Sequence, residues 1–403
     1  MNVISEGFKK YGIYIALIFV ALLFQYLTNG VLFLPPNVTN LVLQNSYILI
    51  MAIGMTLVIV TGRIDLSVGS IVALAGAISG ILIAEMGLPT WLVIIVVLVV
   101  GAIIGAWHGF WIAYRNIPFF VVTLAGMMLY RGLTMIILDG RMRGPFPADF
   151  RMMAAGFIPD FFGGINIGGN IYNLFAIVVC VVIALIFIVF ETRNRMISKK
   201  YELEVMSLPF FIFRILVVIS AIGLFAYWFS HHTSNGIPNV LVILGILIVI
   251  YSYMTNRTIM GRHIYATGGN PKTAELSGIK TKQVVFWVYV NMGVLASLAG
   301  LVFTARADTA VPRAGVGFEL QVIAAAFIGG ASPHGGVGKV LGAITGAMIV
   351  GIINNGMGIM GVSVSMQEVV TGLVLLAAVI FNVLVKDRKT RVKHSDDPEE
   401  SEA

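Results

Sequence analysis

The sequence predicts an all-α polytopic membrane protein, and three observations support this fold class. Of its 403 residues 58% are hydrophobic and only 11% are charged, whereas an ordinary soluble domain is about 25% charged. Apolar runs near the length that crosses the hydrocarbon core as a helix recur along the chain. Lysine and arginine lie mostly between these runs. One soluble core could not bury this much apolar surface, so we expect lipid to cover it.

The length of the apolar runs predicts twelve membrane spans, with broken or re-entrant helices among them. They lie near residues 11–33, 41–60, 64–84, 90–114, 117–139, 171–190, 210–230, 237–254, 284–304, 319–331, 339–356 and 366–385. The first span follows Lys9 and Lys10. It is too long for the core of a signal peptide, so we expect it to remain in the protein.

The lysines and arginines predict that both termini face the cytoplasm. With the N-terminus inside, the outer segments hold only Arg141, Arg143, Arg151, Arg306 and Arg313. Arg131 and Arg214 fall inside spans, and every other lysine and arginine lies in an inner segment. Positive charge accumulates on the cytoplasmic side of membrane proteins. The sequence therefore predicts a multi-pass protein of the cytoplasmic membrane.

Three segments outside the spans are long enough to have structure or function of their own. Residues 140–170 are predicted to form an ordered extracytoplasmic cap, because they mix glycine, proline and aromatic residues. Residues 255–283 form the longest predicted cytoplasmic loop. Residues 386–403 form a charged cytoplasmic tail whose end is acidic and poor in apolar residues, so we expect it to be disordered.

The cytoplasmic loop contains the signature of a short helix in the sequence NPKTAELSG, residues 270–278. Asn270 is a good N-cap, Pro271 suits the first helical position, and Gly278 can end the helix in a left-handed conformation. The helix itself would consist of Lys272, Thr273, Ala274, Glu275, Leu276 and Ser277 after Pro271. Two turns are marginal alone in water. The segment is therefore either a surface turn packed on its own domain or a docking helix for a cytoplasmic partner.

Two charged residues and a histidine near hydrocarbon need an explanation. Asp65 is expected to cap the helix that follows it, with substrate contact as the alternative. Arg131 lies deep inside its span, so it is expected to pair with a charge on another span or to line an aqueous vestibule. His108 is expected to be a hydrogen-bonded packing residue. No partner at ligand spacing accompanies it, so we expect no metal site.

Two sets of glycines recur every four residues and place small residues along one stripe of a helix. They are Gly101, Gly105 and Gly109, and Gly338, Gly342 and Gly346. Such stripes are typical of close helix–helix packing in membranes. The run HGGVGKV fails the phosphate-loop spacing because Pro333 and Val340 occupy required positions. No catalytic constellation is present, so we expect no enzyme and no cofactor bound by this chain.

Several blocks of the chain resemble, in the same order, sugar-importing permeases of bacterial ABC transporters of the ribose, galactose and xylose type. The blocks are TGRIDLSVGS (61–70), GAWHGFWIAYRNIPFFVVTLAGMMLYRG (105–132), the loop 261–283, AAAFIGGASPHGGVGKVLGAITGA (324–347) and the NNGMGIMGVSVSMQEVVTG that follows. Arg63 and His108 depart from the family pattern. Residues 191–236 resemble an insertion that adds a span pair to the usual ten, which favours the xylose and multiple-monosaccharide branch.

The resemblance implies a homodimeric permease subunit for a pentose or hexose, served by a cytoplasmic ATPase subunit that binds ATP and by an extracytoplasmic sugar-binding protein. It also implies that residues 270–278 couple the permease to the ATPase. Candidate pathway residues are Asp65, Ser67, Gln321, Asn354 and Asn355. The alternatives are a secondary transporter driven by an ion gradient, or an ABC permease for a nucleoside, a polyol or an autoinducer-like solute.

Overall fold

The computed structural model describes residues 2–203, 205, 207–231, 235–377 and 380. The helices in chain order are α1 (Asn2–Leu27), α2 (Pro35–Val60), α3 (Val68–Ser79, continued by a π-helical turn Gly80–Glu85), α4 (Thr90–Ala113), α5 (Phe119–Leu138), α6 (Ala148–Ala155), α7 (Leu174–Lys200), α8 (Leu208–Ser230), α9 (Asn239–Arg257), α10 (Ile259–Gly269), α11 (Pro271–Leu276), α12 (Thr281–Ala307), α13 (Phe318–Ile328), α14 (Val340–Ile359) and α15 (Val364–Ala377). A 3₁₀ turn spans Val31–Phe33, and two short strands, β1 (Gly164–Ile167) and β2 (Asn170–Asn173), form a hairpin.

The helices confirm the predicted fold class. Among the described residues, nine helices are long and apolar enough to cross a membrane. Three shorter apolar helices, Gly12–Leu27, Phe318–Ile328 and Val364–Ala377, coincide with the remaining predicted spans. The tail 386–403 lies outside the described residues.

Several predicted boundaries were wrong, and each has a local cause. Helix α2 begins at Pro35 rather than at 41, because prolines suit the first helical positions. Helix α7 continues ten residues beyond 190 to Lys200, since polar residues extend a helix after the apolar run has ended. The expected insertion 191–236 therefore begins inside α7 and contains one complete apolar helix, α8.

The core of the bundle is built around α12 and α2. Helix α12 packs against α2, α3 and α4, and Met292, Ala296 and Ala299 on it are fully buried. Helices α7 and α8 are the least buried of the long apolar helices. They pack mainly on each other and leave most of their apolar side chains exposed. An apolar outer surface of this kind suits lipid as the surrounding solvent.

The connections between helices gather at two opposite ends of the bundle. At one end Arg143 pairs with Ala310, and Phe157 pairs with Pro238. At the other end the Gly336 amide donates to the Val60 carbonyl at 2.8 Å. The chain crosses from one end to the other with each long helix. This arrangement matches the alternation of inner and outer segments that the predicted spans require.

Residues 140–170 form a small structured layer over the first of these ends. It contains α6 and the first strand of the hairpin, whose second strand continues to Asn173, and its own Phe146 and Phe150 are buried. The Asp308 carboxylate accepts from the Phe146 amide at 2.9 Å, and Arg143 lies 2.8 Å from Glu85. Aromatic burial and ion pairs thus hold the segment on the helices.

Helix α13 begins inside the bundle and not at its outer end. It is therefore one of the discontinuous helices that the sequence predicted. Gly80 on α3 approaches Ala310, whereas Gly69 on the same helix is in backbone contact with Gly315. These two glycines are about 16 Å apart along the helix axis. The segment 308–317 therefore turns back along α3 before α13 begins at Phe318. With 11 residues, α13 is about half the length needed to cross hydrocarbon.

Candidate coupling surface and translocation pathway

Helix α11 stands out from the bundle at the end that holds the connection between α2 and α3. Asn270 caps it, with its side-chain oxygen accepting from the Thr273 amide at 3.1 Å. Pro271 occupies the first position, and Gly278 ends the turn at φ +82°. The two-turn helix therefore forms at the predicted place, and its local cause is its own capping chemistry.

The outer face of α11 is open. Ala274 is its one buried residue and is 4% exposed, whereas Leu276 is 91% exposed. Lys272, Thr273 and Glu275 are exposed as well. The Glu275 carboxylate accepts from the Thr281 hydroxyl, which ties α11 to the start of α12. An exposed leucine on a short capped helix is a suitable anchor for a partner's groove.

Immediately before α11, the end of α10 meets two other connections backbone to backbone. A Cβ at Gly268 would overlap the Val60 carbonyl oxygen and would lie 2.8 Å from the Gly336 amide nitrogen. The Tyr265 hydroxyl donates to the Gly338 carbonyl at 2.6 Å. Burial raises the pKa of the Tyr265 hydroxyl above its ordinary value, so it remains a donor. We call this contact of Val60, Gly268 and Gly336 the glycine junction.

The prediction that Asp65 caps the following helix was wrong in its detail. Helix α3 begins at Val68, and Ser67 occupies the cap position. Asp65 Oδ1 accepts from the Ser67 amide at 2.9 Å and from its hydroxyl at 2.6 Å. Asp65 and Ser67 are 1% and 0% exposed. In this conformation the pair organises the turn before α3 inside the bundle.

His108 is packed inside the same region. It is fully buried, its Nε2 lies 3.3 Å from the Tyr130 hydroxyl, and its Nδ1 lies 4.0 Å from Asp65 Oδ2. The expected role of a packing residue with a polar partner is confirmed. Within the described ranges, no group of three or more histidine, cysteine, aspartate or glutamate side chains could hold a metal ion.

Arg131 forms the ion pair that its depth in the span requires. Its Nη2 lies 3.1 Å from Glu319 Oε1, which joins α5 to the first turn of α13. This outcome confirms the expected pairing with another helix. The sequence named Arg131 as needing a partner, but Glu319 is 188 residues further along the chain. Only the tertiary packing could identify it.

The other expected pathway residues lie in two places. Gln321 is partly exposed on α13, one turn or less from Glu319. Asn355 on α14 exchanges hydrogen bonds with Asn37 on α2 at 3.0 and 3.3 Å, and Asn354 accepts from Thr371 on α15. The structure therefore uses both asparagines in contacts between helices.

The two glycine stripes lie at close helix contacts. Cβ atoms at Gly101, Gly105 and Gly109 would overlap α12. On α14, Gly342 lies against Gly329 and Gly346 lies against the Ala325 carbonyl. The prediction that Gly338 shares this helix stripe was wrong, because α14 begins only at Val340; Gly338 precedes the helix and packs on the Val60 side chain. The absence of side chains at these positions lets backbones approach.

Sequence reasoning missed α10. The segment Ile259–Gly269 was interpreted as loop, yet it forms a helix capped by the Thr258 hydroxyl. Thr258 before the first helical residue was an available N-cap signal. Two consecutive glycines at the end of the helix, Gly268 and Gly269, argued against it.

Comparison with known proteins places this architecture in a family. The family model for the permease component of branched-chain amino acid transport systems matches residues 37–379. The xylose transport system permease protein of Haemophilus influenzae is 35% identical over 93% of this chain and 96% of its own length. The corresponding protein of Escherichia coli K12 is 36% identical over 93% of this chain and 91% of its own. The ribose import permease protein of Haemophilus influenzae is 33% identical over 87% of this chain and 86% of its own. No solved structure matches. The chain therefore belongs to the permease component family of branched-chain amino acid transport systems.

Proposed function

We propose that this chain is the membrane permease subunit of an ATP-driven importer for a monosaccharide, with a pentose as the first substrate to test and a hexose as the second. It would work as a homodimer in the cytoplasmic membrane, with an ABC-type ATPase below it and a sugar-binding protein outside. The relatives support the sugar class. Their names describe xylose and ribose transport, and their similarity covers most of this chain. They are transport permeases, which also supports a role without catalysis by this chain.

The observation that carries the proposal is α11, a capped helix with one buried residue and a leucine 91% exposed. A two-turn helix gains little stability on its own, so a surface that exposes Leu276 to water is best explained by a partner. The partner we propose is the ATPase subunit, with α11 seated in a groove on it. Movement of α11 would then pass through the glycine junction to the connection between α2 and α3 and to the connection between α13 and α14, and the bundle would open on one side at a time.

The test of coupling uses Leu276→Asp with Leu203→Asp as its matched control. Leu203 lies in the connection between α7 and α8 and is 61% exposed. In membranes holding the permease, its ATPase and its binding protein, Leu276→Asp should reduce sugar uptake at least about tenfold, as expected for a central interface anchor. Leu203→Asp should transport as the unaltered chain does. Equal uptake by both variants would remove α11 from the mechanism.

The rival function is a secondary transporter driven by an ion gradient. Proteoliposomes that contain this chain alone distinguish the two. We expect no accumulation of sugar in them under a proton or sodium gradient, and accumulation only after the ATPase, ATP and binding protein are added. Accumulation by the chain alone would contradict the proposal. A panel of xylose, ribose, galactose, a nucleoside and a polyol then separates the sugar class from the other ABC permease cargoes.

A further inference from the structure

The Arg131–Glu319 pair lies deep in the bilayer portion of the bundle. Arg131 is 12 residues beyond the first residue of α5, about 18 Å along the helix axis. Seven further residues, about 10 Å, separate it from Leu138 at the outer end of α5. Charged side chains at such depth are costly against lipid, and in membrane proteins they mark pathways or pair with one another.

Two helices begin beside this pair. Glu319 is in the first turn of α13, and the start of α3 is in contact with it, since a Cβ at Gly69 would lie 2.5 Å from Glu319 Oε2. Gly69 also touches the backbone of Gly315. The free amides at a helix start favour negative charge. In transporters, discontinuous helices that begin within the bilayer mark the substrate site.

Two buried polar atoms of the pair have no hydrogen-bond partner. Glu319 is 8% exposed, and its Oε2 atom has no hydrogen-bond partner. The buried Nε of Arg131 has none either, although Nη2 binds Glu319. A structural ion pair in a low-dielectric interior normally has its remaining donors and acceptors satisfied. Each side chain of this pair instead keeps one polar atom without a partner.

The guanidinium also reaches the surface of the single chain. The Arg131 side chain is 35% exposed, and the surface around it is apolar, with Met128 69% and Leu320 52% exposed. If lipid covered this face, a cation would be in contact with hydrocarbon near the middle of the bilayer. Lipid alone is therefore an unsuitable neighbour for the face that α5 and α13 share.

We propose that Arg131 and Glu319 form a transit site for sugar hydroxyls on the translocation pathway, and that the face of α5 and α13 around Leu320 lines this pathway. The inference rests on the proposed function. A guanidinium only donates hydrogen bonds and a carboxylate only accepts them, whereas a sugar hydroxyl does both. Two neighbouring hydroxyls can bind both side chains at once, and a neutral sugar leaves again because neither charge is neutralised.

The first test compares two exposed leucines with a water-soluble thiol reagent. Leu320 and Leu216 are 52% and 57% exposed in the single chain. Leu216 lies on α8, which is expected to face lipid. In a background with the one natural cysteine, Cys180, replaced by serine, Leu320→Cys should react and Leu216→Cys should not. Xylose or ribose should slow the reaction at position 320. Failure to label Leu320→Cys, or equal labelling of both, would overturn the proposal.

The second test removes each charge while keeping a polar side chain. Arg131→Gln and Glu319→Gln should each lower sugar uptake at least about tenfold, as expected when a charge-assisted hydrogen bond is lost. The ATPase should copurify with each variant in the same amount as with the unaltered chain. If uptake per folded complex is unchanged and only thermal stability falls, the pair is structural and the inference is wrong. Absence of uptake by the unaltered complex would instead contradict the proposed function.

Discussion

At the residue scale, the positions that least tolerate an added side chain are glycines at which two backbones come together. Gly105 is the centre of the α4–α12 contact, where a Cβ would lie 2.7 Å from the Val290 Cα. Gly245 on α9 has nothing within 4 Å of the same position. Glycine in a helix is otherwise unfavourable relative to alanine by about 0.5–1 kcal/mol. The same substitution should therefore have opposite effects at the two sites.

We expect Gly105→Ala to lower the melting temperature of the purified permease in detergent. Forcing a methyl group into a packed contact costs roughly 1–3 kcal/mol. Gly245→Ala should leave the melting temperature unchanged or raise it slightly. A thermal unfolding assay on both variants checks this prediction. A Gly105→Ala protein as stable as the unaltered chain would contradict the packing role of the stripe.

At the scale of elements, α10 and α11 are consecutive helices, and the end of α10 lies in the glycine junction. The Gly336 amide donates to the Val60 carbonyl, and Gly268 packs on the same carbonyl. Helix α11 follows Gly268 after two residues. A Cβ at Gly269, by contrast, would have no other atom within 4 Å of it. The neighbouring glycines therefore offer a matched pair.

We expect Gly268→Ala to uncouple ATP hydrolysis from transport, because the added methyl group pushes α10 away from the Val60 carbonyl. Uptake should fall at least about tenfold while ATPase binding through α11 persists, since the exposed face of α11 is unchanged. Gly269→Ala should have little effect. Copurification of the ATPase together with an uptake assay measures both quantities. Normal coupling in the Gly268→Ala complex would show that the junction does not transmit movement.

At the scale of the whole molecule, the two ends of the bundle must lie on opposite sides of the membrane. Helix α11 is at one end, and α6 with the strand hairpin is at the other. The distribution of lysine and arginine predicts that the α11 end faces the cytoplasm. The same orientation would present α11 to an ATPase and the α6 layer to a binding protein.

We expect Ser277→Cys to react with an impermeant thiol reagent only in inside-out vesicles. Ala148→Cys should react only in cells whose cytoplasmic membrane is intact and whose outer envelope lets the reagent pass. Both residues are exposed, and Cys180 is buried. Labelling followed by mass measurement reads the result directly. The reverse pattern would invert the topology and place α11 where no ATPase can reach it.

The sequence by itself determined the fold class, the places of the apolar helices among the described residues and the position of α11. These features depend on local causes, namely the length of apolar runs, the placement of positive charge and the capping residues around 270–278. It also indicated that Arg131 needed a partner, since a charge at that depth cannot be left alone.

Only the tertiary structure decided which groups meet. It assigned Glu319 to Arg131, joined Gly268 to Val60 and Gly336, and turned the segment 308–317 back along α3. These contacts join residues far apart in the chain, so no periodicity or local motif encodes them. In hydrocarbon every apolar helix face is equally acceptable to lipid, and the choice of neighbour depends on close packing and polar pairing between helices.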